Sequence, residues 1–332
     1  MHRTAALAIL LTALSFRAAM ADEPAHAPSS PSPLVELQAA KDAVTAQEYE
    51  LRYRFTPGEV LRWKVVHLVT LETKIQGSAQ TARTRSVATK AWKVLDVDEK
   101  GNITLTHTIE DVDMWQNVTD KPEVRYNSEK DAKAPEGYEH VASSIGRPLA
   151  RITIDPRGRI IERENLHWQY NPGLGELTMP LPEGPVKIGQ RWNLPEQVPV
   201  RDAGGQVKRI HLRQLYTLTD VASGVATIEV KTQVLSPVDD PRIRSQLVQR
   251  LQFGTIRFDV DAGRVLSKQM DTDEIVIGFQ GADSIMQYLA RFTEEPVEEK
   301  SESTQGSSNG AAKATVVASK AGSDSADAAA ND

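Results

Sequence analysis

The feature that most constrains this chain is a long alternation of apolar and polar residues with period two. It runs from about Glu48 to Thr293. Leu61, Trp63, Val65, Val69 and Leu71 alternate with Arg62, Lys64 and Thr70. Ile103, Leu105 and Ile109 alternate with Thr104, Thr106 and Thr108. Ile210, Leu212, Tyr216 and Leu218 continue the habit, as do Ala226, Ile228 and Val230, then Ile256, Phe258 and Val260, then Ile275, Ile277 and Phe279. Successive strand side chains point to opposite faces, so this pattern predicts half-buried strands. Asp98–Asn102, Ala222–Gly224 and Asp261–Gly263 supply tight turns between them. The expected fold class is mainly β with a few helices, an antiparallel meander with one dry and one wet face. Ten or so strands must twist, and are expected to curl into a half-barrel or split into two packed sheets.

The strands come in two matching series. Arg62-Trp63 follows Pro57-Gly58, and Arg191-Trp192 follows Ile188-Gly189. Leu95 to Ile109 resembles Leu218 to Thr232, with Leu95 set against Leu218 and Thr104 against Thr227. Ile152-Thr153-Ile154-Asp155 to Arg159 resembles Ile256-Arg257-Phe258-Asp259 to Arg264. The kept order predicts an internal duplication. Its first β repeat spans 48–165 with a helix near 138–146. A connection covers 166–184. The second repeat spans 185–293 with a helix near 241–251, capped by Asp240 and opened by Pro241.

The flanks read differently. Residues 1–21 form a signal peptide: a short polar start, an apolar run from Thr4 to Leu14, and Ala19-Met20-Ala21 placing cleavage after Ala21. Arg17 interrupts the run too early for a transmembrane anchor. Residues 22–47 form a proline-rich spacer and a short helix, and 294–332 a disordered acidic tail. The expected location is extracytoplasmic, periplasmic or secreted, with no membrane span after cleavage. The chain has no cysteine, which excludes disulfides and thiolate sites. A net charge of −6 argues against a nucleic-acid binder.

Candidate sites are sparse, and no cofactor, metal or catalytic residue is expected. His67 and His107 fall on the apolar side of their strands. They are weak candidates for a ligand pair or a proton relay with Asp111, against the plainer reading of two core or rim histidines. Asp96 to His107 fails as a calcium loop, because position twelve is His107 and position five is Lys100. Gly306-Ser307-Ser308-Asn309-Gly310 lacks the strand and helix of a nucleophile elbow. Trp168 and Tyr170, in the connection, are two apart and could grip a ligand or partner from one side of an extended chain.

Arg54-Phe55-Thr56-Pro57-Gly58-Glu59-Val60-Leu61-Arg62-Trp63 and Pro185-Val186-Lys187-Ile188-Gly189-Gln190-Arg191-Trp192 resemble the strand openings of uncharacterised bacterial exported β-rich proteins. These in turn resemble, at the level of fold, the periplasmic lipoprotein carriers and similar half-barrels. The resemblance implies a curved sheet whose concave face could hold an acyl chain or hydrophobic peptide, and brings no catalytic residue with it. The expected function is therefore non-enzymatic binding of a hydrophobic ligand (lipid, acyl chain or peptide) or an envelope protein partner. A scaffolding component of the envelope, or a hydrolase with dispersed carboxylates, stands as the alternative.

Overall fold

The computed structural model describes residues 47–167 and 178–297. Those up to Pro296 belong to one compact unit. Twelve antiparallel strands form one sheet. They are β1 (Val60–Ile75), β2 (Ser78–Val97), β3 (Ile103–Val118), β4 (Val124–Asn127), β5 (Pro148–Ile154), β6 (Ile160–Asn165), β7 (Arg191–Arg201), β8 (Val207–Ala222), β9 (Val225–Val234), β10 (Phe253–Asp259), β11 (Arg264–Ile277) and β12 (Ile285–Pro296). The order across the sheet is β6-β5-β3-β2-β1-β12-β11-β10-β9-β8-β7, with β4 beside β3. The mainly β meander is therefore a single sheet, not two packed ones, and it does not close into a barrel. Two meanders lie in tandem, joined where β1 pairs with β12.

The sheet curls around its dry face. Two consecutive amides show how strongly. Tyr53 donates to the Pro156 carbonyl at 2.7 Å, and Arg54 to the Gly263 carbonyl at 3.1 Å. Pro156 follows β5 and Gly263 precedes β11, five strand steps away. A flat sheet would hold these points about 24 Å apart. One extended dipeptide spans only about 4 Å between its amides. The segment Leu51–Phe55 thus crosses the curl like a chord, and Leu51, Tyr53 and Phe55 are all buried against both limbs. Tyr53 meets Phe258 edge-on at 5.7 Å, and Phe55 meets Trp92 at 6.3 Å.

Two short helices cover more of the dry face. α1 (Glu139–Ser144) buries Val141 near the β3–β5 limb, close to the expected 138–146. α2 (Pro241–Leu247) begins as expected, with the Asp240 side chain accepting from the Arg242 amide. Ile243 and Leu247 pack on Val200, Ile210 and Leu212. The outer edges carry prolines and charges that discourage a further strand, although β6 opens with the exposed Ile160 and Ile161. β7 holds Pro195 and Pro199, and β6 is exposed along its length with Glu162, Arg163 and Glu164.

The same irregularities recur in both series. Gly58 donates to Val94 and Val94 to Glu59; Gly189 donates to Leu218 and Leu218 to Gln190. A bulge follows at Val94/Asp96 and again at Leu218/Asp220. Another falls at Thr153/Ile154 and at Arg257/Phe258. These landmarks shift two of the sequence correspondences. Leu218 matches Val94 and not Leu95, which is the extra residue of its bulge. Trp192 sits opposite Tyr216 as Leu61 sits opposite Trp92, so Trp192 corresponds to Leu61 and not to Trp63.

The crossing segment explains one glycine. Gly263 has φ +64°, and a Cβ there would lie 2.6 Å from the Arg52 carbonyl oxygen and the Arg54 amide. Gly77 has φ +84° but open space around it. Gly77→Ala should therefore cost only the left-handed penalty of about 1–2 kcal/mol. Gly263→Ala should add about 1–3 kcal/mol of overpacking. Urea unfolding of the two variants checks this; equal costs would mean the crossing segment yields freely.

Candidate functional site

The buried part of the curl contains an ion pair. Lys90 on β2 and Glu294 on β12 are 2% and 6% exposed, and they meet in a short hydrogen-bonded salt bridge over Val65 of β1. The Lys90 ammonium lies 4.6 Å from the Trp63 ring and 4.9 Å from the Trp92 ring. Such desolvated cation–π contacts are worth about 2 kcal/mol. Burial pushes the Lys90 pKa down, the Glu294 charge and hydrogen bond pull it back, and Lys268 adds to the downward push. The indole Nε1 atoms of Trp63 and Trp92, Ser86 Oγ and His107 Nδ1 are buried with no hydrogen-bond partner among the described residues.

This cluster is not a ligand cavity. Tyr53, Phe55, Trp63, Trp92, Met179, Val265, Lys268 and Glu294 enclose only about 20 Å³, room for about one water. The concave face here is filled by the chain's own crossing segment. The sequence concealed both partners. Lys90 stands in the run Ser86, Ala88, Lys90, Trp92, where alternation calls for an apolar residue. Glu294 was expected to open the acidic tail; instead β12 runs to Pro296, and Glu294 closes the alternation Met286, Tyr288, Ala290, Phe292.

The sequence candidates are dispersed. His67 pairs across strands with Ser86 and Phe292, His107 with Trp92 and Ala150. Ser86 in turn faces Met114 on β3. Seven residues separate Met114 from His107, roughly 20 Å along a strand, so the two histidines do not form a pair. Asp111 lies beside Thr89, and the bulge between Ile109 and Asp111 turns it to the wet face, away from His107. Trp168 and Tyr170 lie outside the described residues. Arg62 does pair across the sheet, with Glu110 at 2.9 Å. Asp98 is a turn residue, accepting from the Lys100 and Asn102 amides.

The wet face carries the larger hollows. One groove of about 600 Å³ is lined by Leu68, Arg83, Arg85, Trp115, Leu289 and Arg291. Another of about 870 Å³ is lined by Arg191, Leu215, Lys231 and Gln269. They meet at Phe253 and Asp271. One cross-strand row runs through them from Trp115 through Arg85, Leu68, Arg291, Asp271 and Phe253 to Lys231. Burial pushes the Asp271 carboxyl up, but hydrogen bonds from Arg291 and Gln269 outweigh it and hold the pKa below the usual range. Among the described residues the other displaced carboxyls, Asp98, Glu123 and Asp202, are lowered as well. A general acid would need the opposite shift.

No family model and no curated protein matches this chain. Distant likenesses are found among solved structures. A lipovitellin structure described by its lipid–protein interactions is 12% identical with a TM-score of 0.41, covering 74% of this chain. This chain spans about a quarter (26%) of that one. The translocator domain of the autotransporter NalP from Neisseria meningitidis is 7% identical with a TM-score of 0.27, covering 79% of this chain and 93% of its own. DynF, from the dynemicin pathway of Micromonospora chersina, is 5% identical with a TM-score of 0.21, covering 77% and 87%. No helix among the described residues is long and apolar enough to cross a membrane.

Two predictions follow from the buried cluster. Glu294→Leu or Lys90→Met alone leaves a buried charge unpaired and should cost about 3–5 kcal/mol. The double variant Lys90→Met/Glu294→Leu should recover most of it. A double-mutant cycle in urea measures the coupling, and additive losses would show that the pair is not a unit. His107 is held neutral by burial, with the Lys90 and Arg163 charges helping, and its pKa falls to about 3. The unfolded chain takes up that proton near pH 6.5. Stability is thus lost as pH falls from about 6.5 to about 3, at up to about 1.4 kcal/mol per unit. His107→Val, copying Val230 of the second series, should flatten the stability–pH curve in that window.

Proposed function

We propose that this is an extracytoplasmic, non-enzymatic protein that binds a hydrophobic ligand or an envelope partner on the wet face of its curved sheet. One observation carries the reading. Leu68, Phe253, Ile275, Ile277, Ile285 and Leu289 are each between 37% and 64% exposed. Strand register places all six on the same face. Grouped apolar side chains on a face built to meet water mark interaction sites. Arg85 and Arg291 beside them are paired with Asp113 and Asp271, and Arg83 and Asp273 also line the groove, so its surround is charge-balanced. The crossing segment already occupies the interior, so the ligand lies outside the curl. The location rests on residues 1–21, and the recurring bulges support a duplicated origin of the sheet.

The test uses the purified full chain and a neutral apolar fluorophore, with native mass spectrometry for carried-over lipid. Saturable binding near one equivalent is expected. Leu289→Lys removes a buried contact worth about 1.5–3 kcal/mol, so affinity should fall about tenfold or more. Binding that ignores both Leu289→Lys and Leu68→Lys would overturn the site. N-terminal sequencing of the protein recovered from outside the cytoplasm should begin at Asp22.

A further inference from the structure

The apolar patch ends against a strip of unpaired cations. Along β8, Val207, Arg209, His211, Arg213 and Leu215 alternate with the buried Ile210 and Leu212, and so share the wet face. Register sets Arg201 of β7 against Val207, and Lys231 of β9 against Leu215. Same-face neighbours on one strand stand about 7 Å apart. Lys231 is the diagonal neighbour of Arg213, at about 7–8 Å between backbones. Lys231 also faces Phe253 of β10 directly. The strip and the apolar patch therefore adjoin through one cross-strand pair.

The fold does not neutralise these charges. Among the described residues, Arg201, Arg209, Arg213 and Lys231 form no ion pair. Arg213 donates to Gln233 at 2.7 Å and Arg201 to the Gly205 carbonyl at 3.3 Å, both neutral acceptors. The acids close by are engaged elsewhere: Asp202 with Lys208, Glu196 with Arg250, and Asp271 with Arg291. Asp239 and Asp240 precede α2, which Asp240 caps. On the wet face of β7–β9 the acids are Glu229 and Asp220, and both lie on the β8–β9 turn side of Lys231. The chain as a whole is acidic, at −6. Its net charge repels an anionic surface, so attraction comes only from an encounter oriented through this strip.

We infer that the strip docks the protein on an anionic lipid surface. Arg201, Arg209, Arg213 and Lys231 meet the headgroup phosphates, while Phe253 on one flank and Val207 on the other, 47% and 59% exposed, enter the apolar boundary beneath them. A soluble anion satisfies the cations and leaves the apolar side chains in water. A neutral apolar surface does the reverse. An anionic bilayer presents both chemistries side by side. This rests on the wet-face binding reading and names its ligand class as anionic lipid held in a bilayer.

The probe is a vesicle of equimolar phosphatidylglycerol and phosphatidylcholine, with phosphatidylcholine alone as its neutral twin, cosedimented with the full chain. Binding to the anionic vesicle is expected, and its loss in about 1 M salt, where screening shortens to about 3 Å. Each cation at the surface contributes about a fivefold factor, so Arg209→Glu/Arg213→Glu should weaken binding at least twentyfold. Lys121→Glu/Lys130→Glu makes the same change of net charge on exposed residues at the far end of the sheet, and should leave binding within about twofold of the parent. All variants keep residues 1–21, so a retained leader cannot produce the difference, and circular dichroism checks each sheet. Equal binding to the two vesicles, or equal loss in the two double variants, would overturn the strip. Displacement by inorganic phosphate at matched ionic strength would reduce it to a phosphate site. Binding that appears only once residues 298–332 are removed would make the chain's own acidic tail the occupant; either result overturns lipid docking. Failure with vesicles while the apolar fluorophore still binds would sink this inference alone. Failure of both would sink the wet-face reading as well.

Discussion

The structure depends on one seam. Every other pairing in the sheet joins strands near each other in sequence, whereas β1 and β12 are the first and last strands. They sit mid-sheet, and their twelve-residue register holds the two meanders in one surface. The Lys90–Glu294 pair spans that seam from β2 to β12, under the Trp63 and Trp92 rings. A buried pair adds little net stability against an apolar alternative but penalises its own disruption. A two-residue slip of β12 would keep its alternation but carry Glu294 about 7 Å along the seam and strand Lys90 in the core. The charge thus enforces a register that alternation alone leaves loosely set.

Much of the architecture was legible because period two is a local signal. Strands, hairpin glycines, the Asp240 cap and the antiparallel meander all follow from residues close in sequence. What escaped depends on distant contacts. Bulges at Val94/Asp96 and Leu218/Asp220 shift the face by one residue without any composition change, which misaligned Leu95 with Leu218. Trp63 and Trp192 share a preceding arginine but not a place in the register. Ile275 and Ile277 look like core residues, and only pairing to β12 shows them facing water. Glu294 resembled tail sequence because its partner lies 204 positions earlier. Of the named site candidates, His67 and His107 face the dry side as read, yet the register separates them.

The filled interior and the decorated exterior go together. A half-barrel that carried a ligand within would need its concave face lined but empty. Here Leu51, Tyr53 and Phe55 complete the core, and Tyr53 accepts from the Met179 amide at 2.9 Å, which pins the connection as well. Rigidity gained inside leaves the outer face as a stable platform. The wet-face row from Trp115 to Lys231 crosses seven strands, so its side chains are spaced by the ladder and not by loops.

The central seam also orders events in time. A polypeptide is made from its N-terminus, and β1 appears long before the strand that completes it. Until β12 emerges, β1 presents an open edge and Lys90 has no counter-ion. A chain cut short before Glu294 would have to bury a bare ammonium between two indoles or leave that region unfolded. The same contact that fixes register is therefore satisfied only once the last strand has been made.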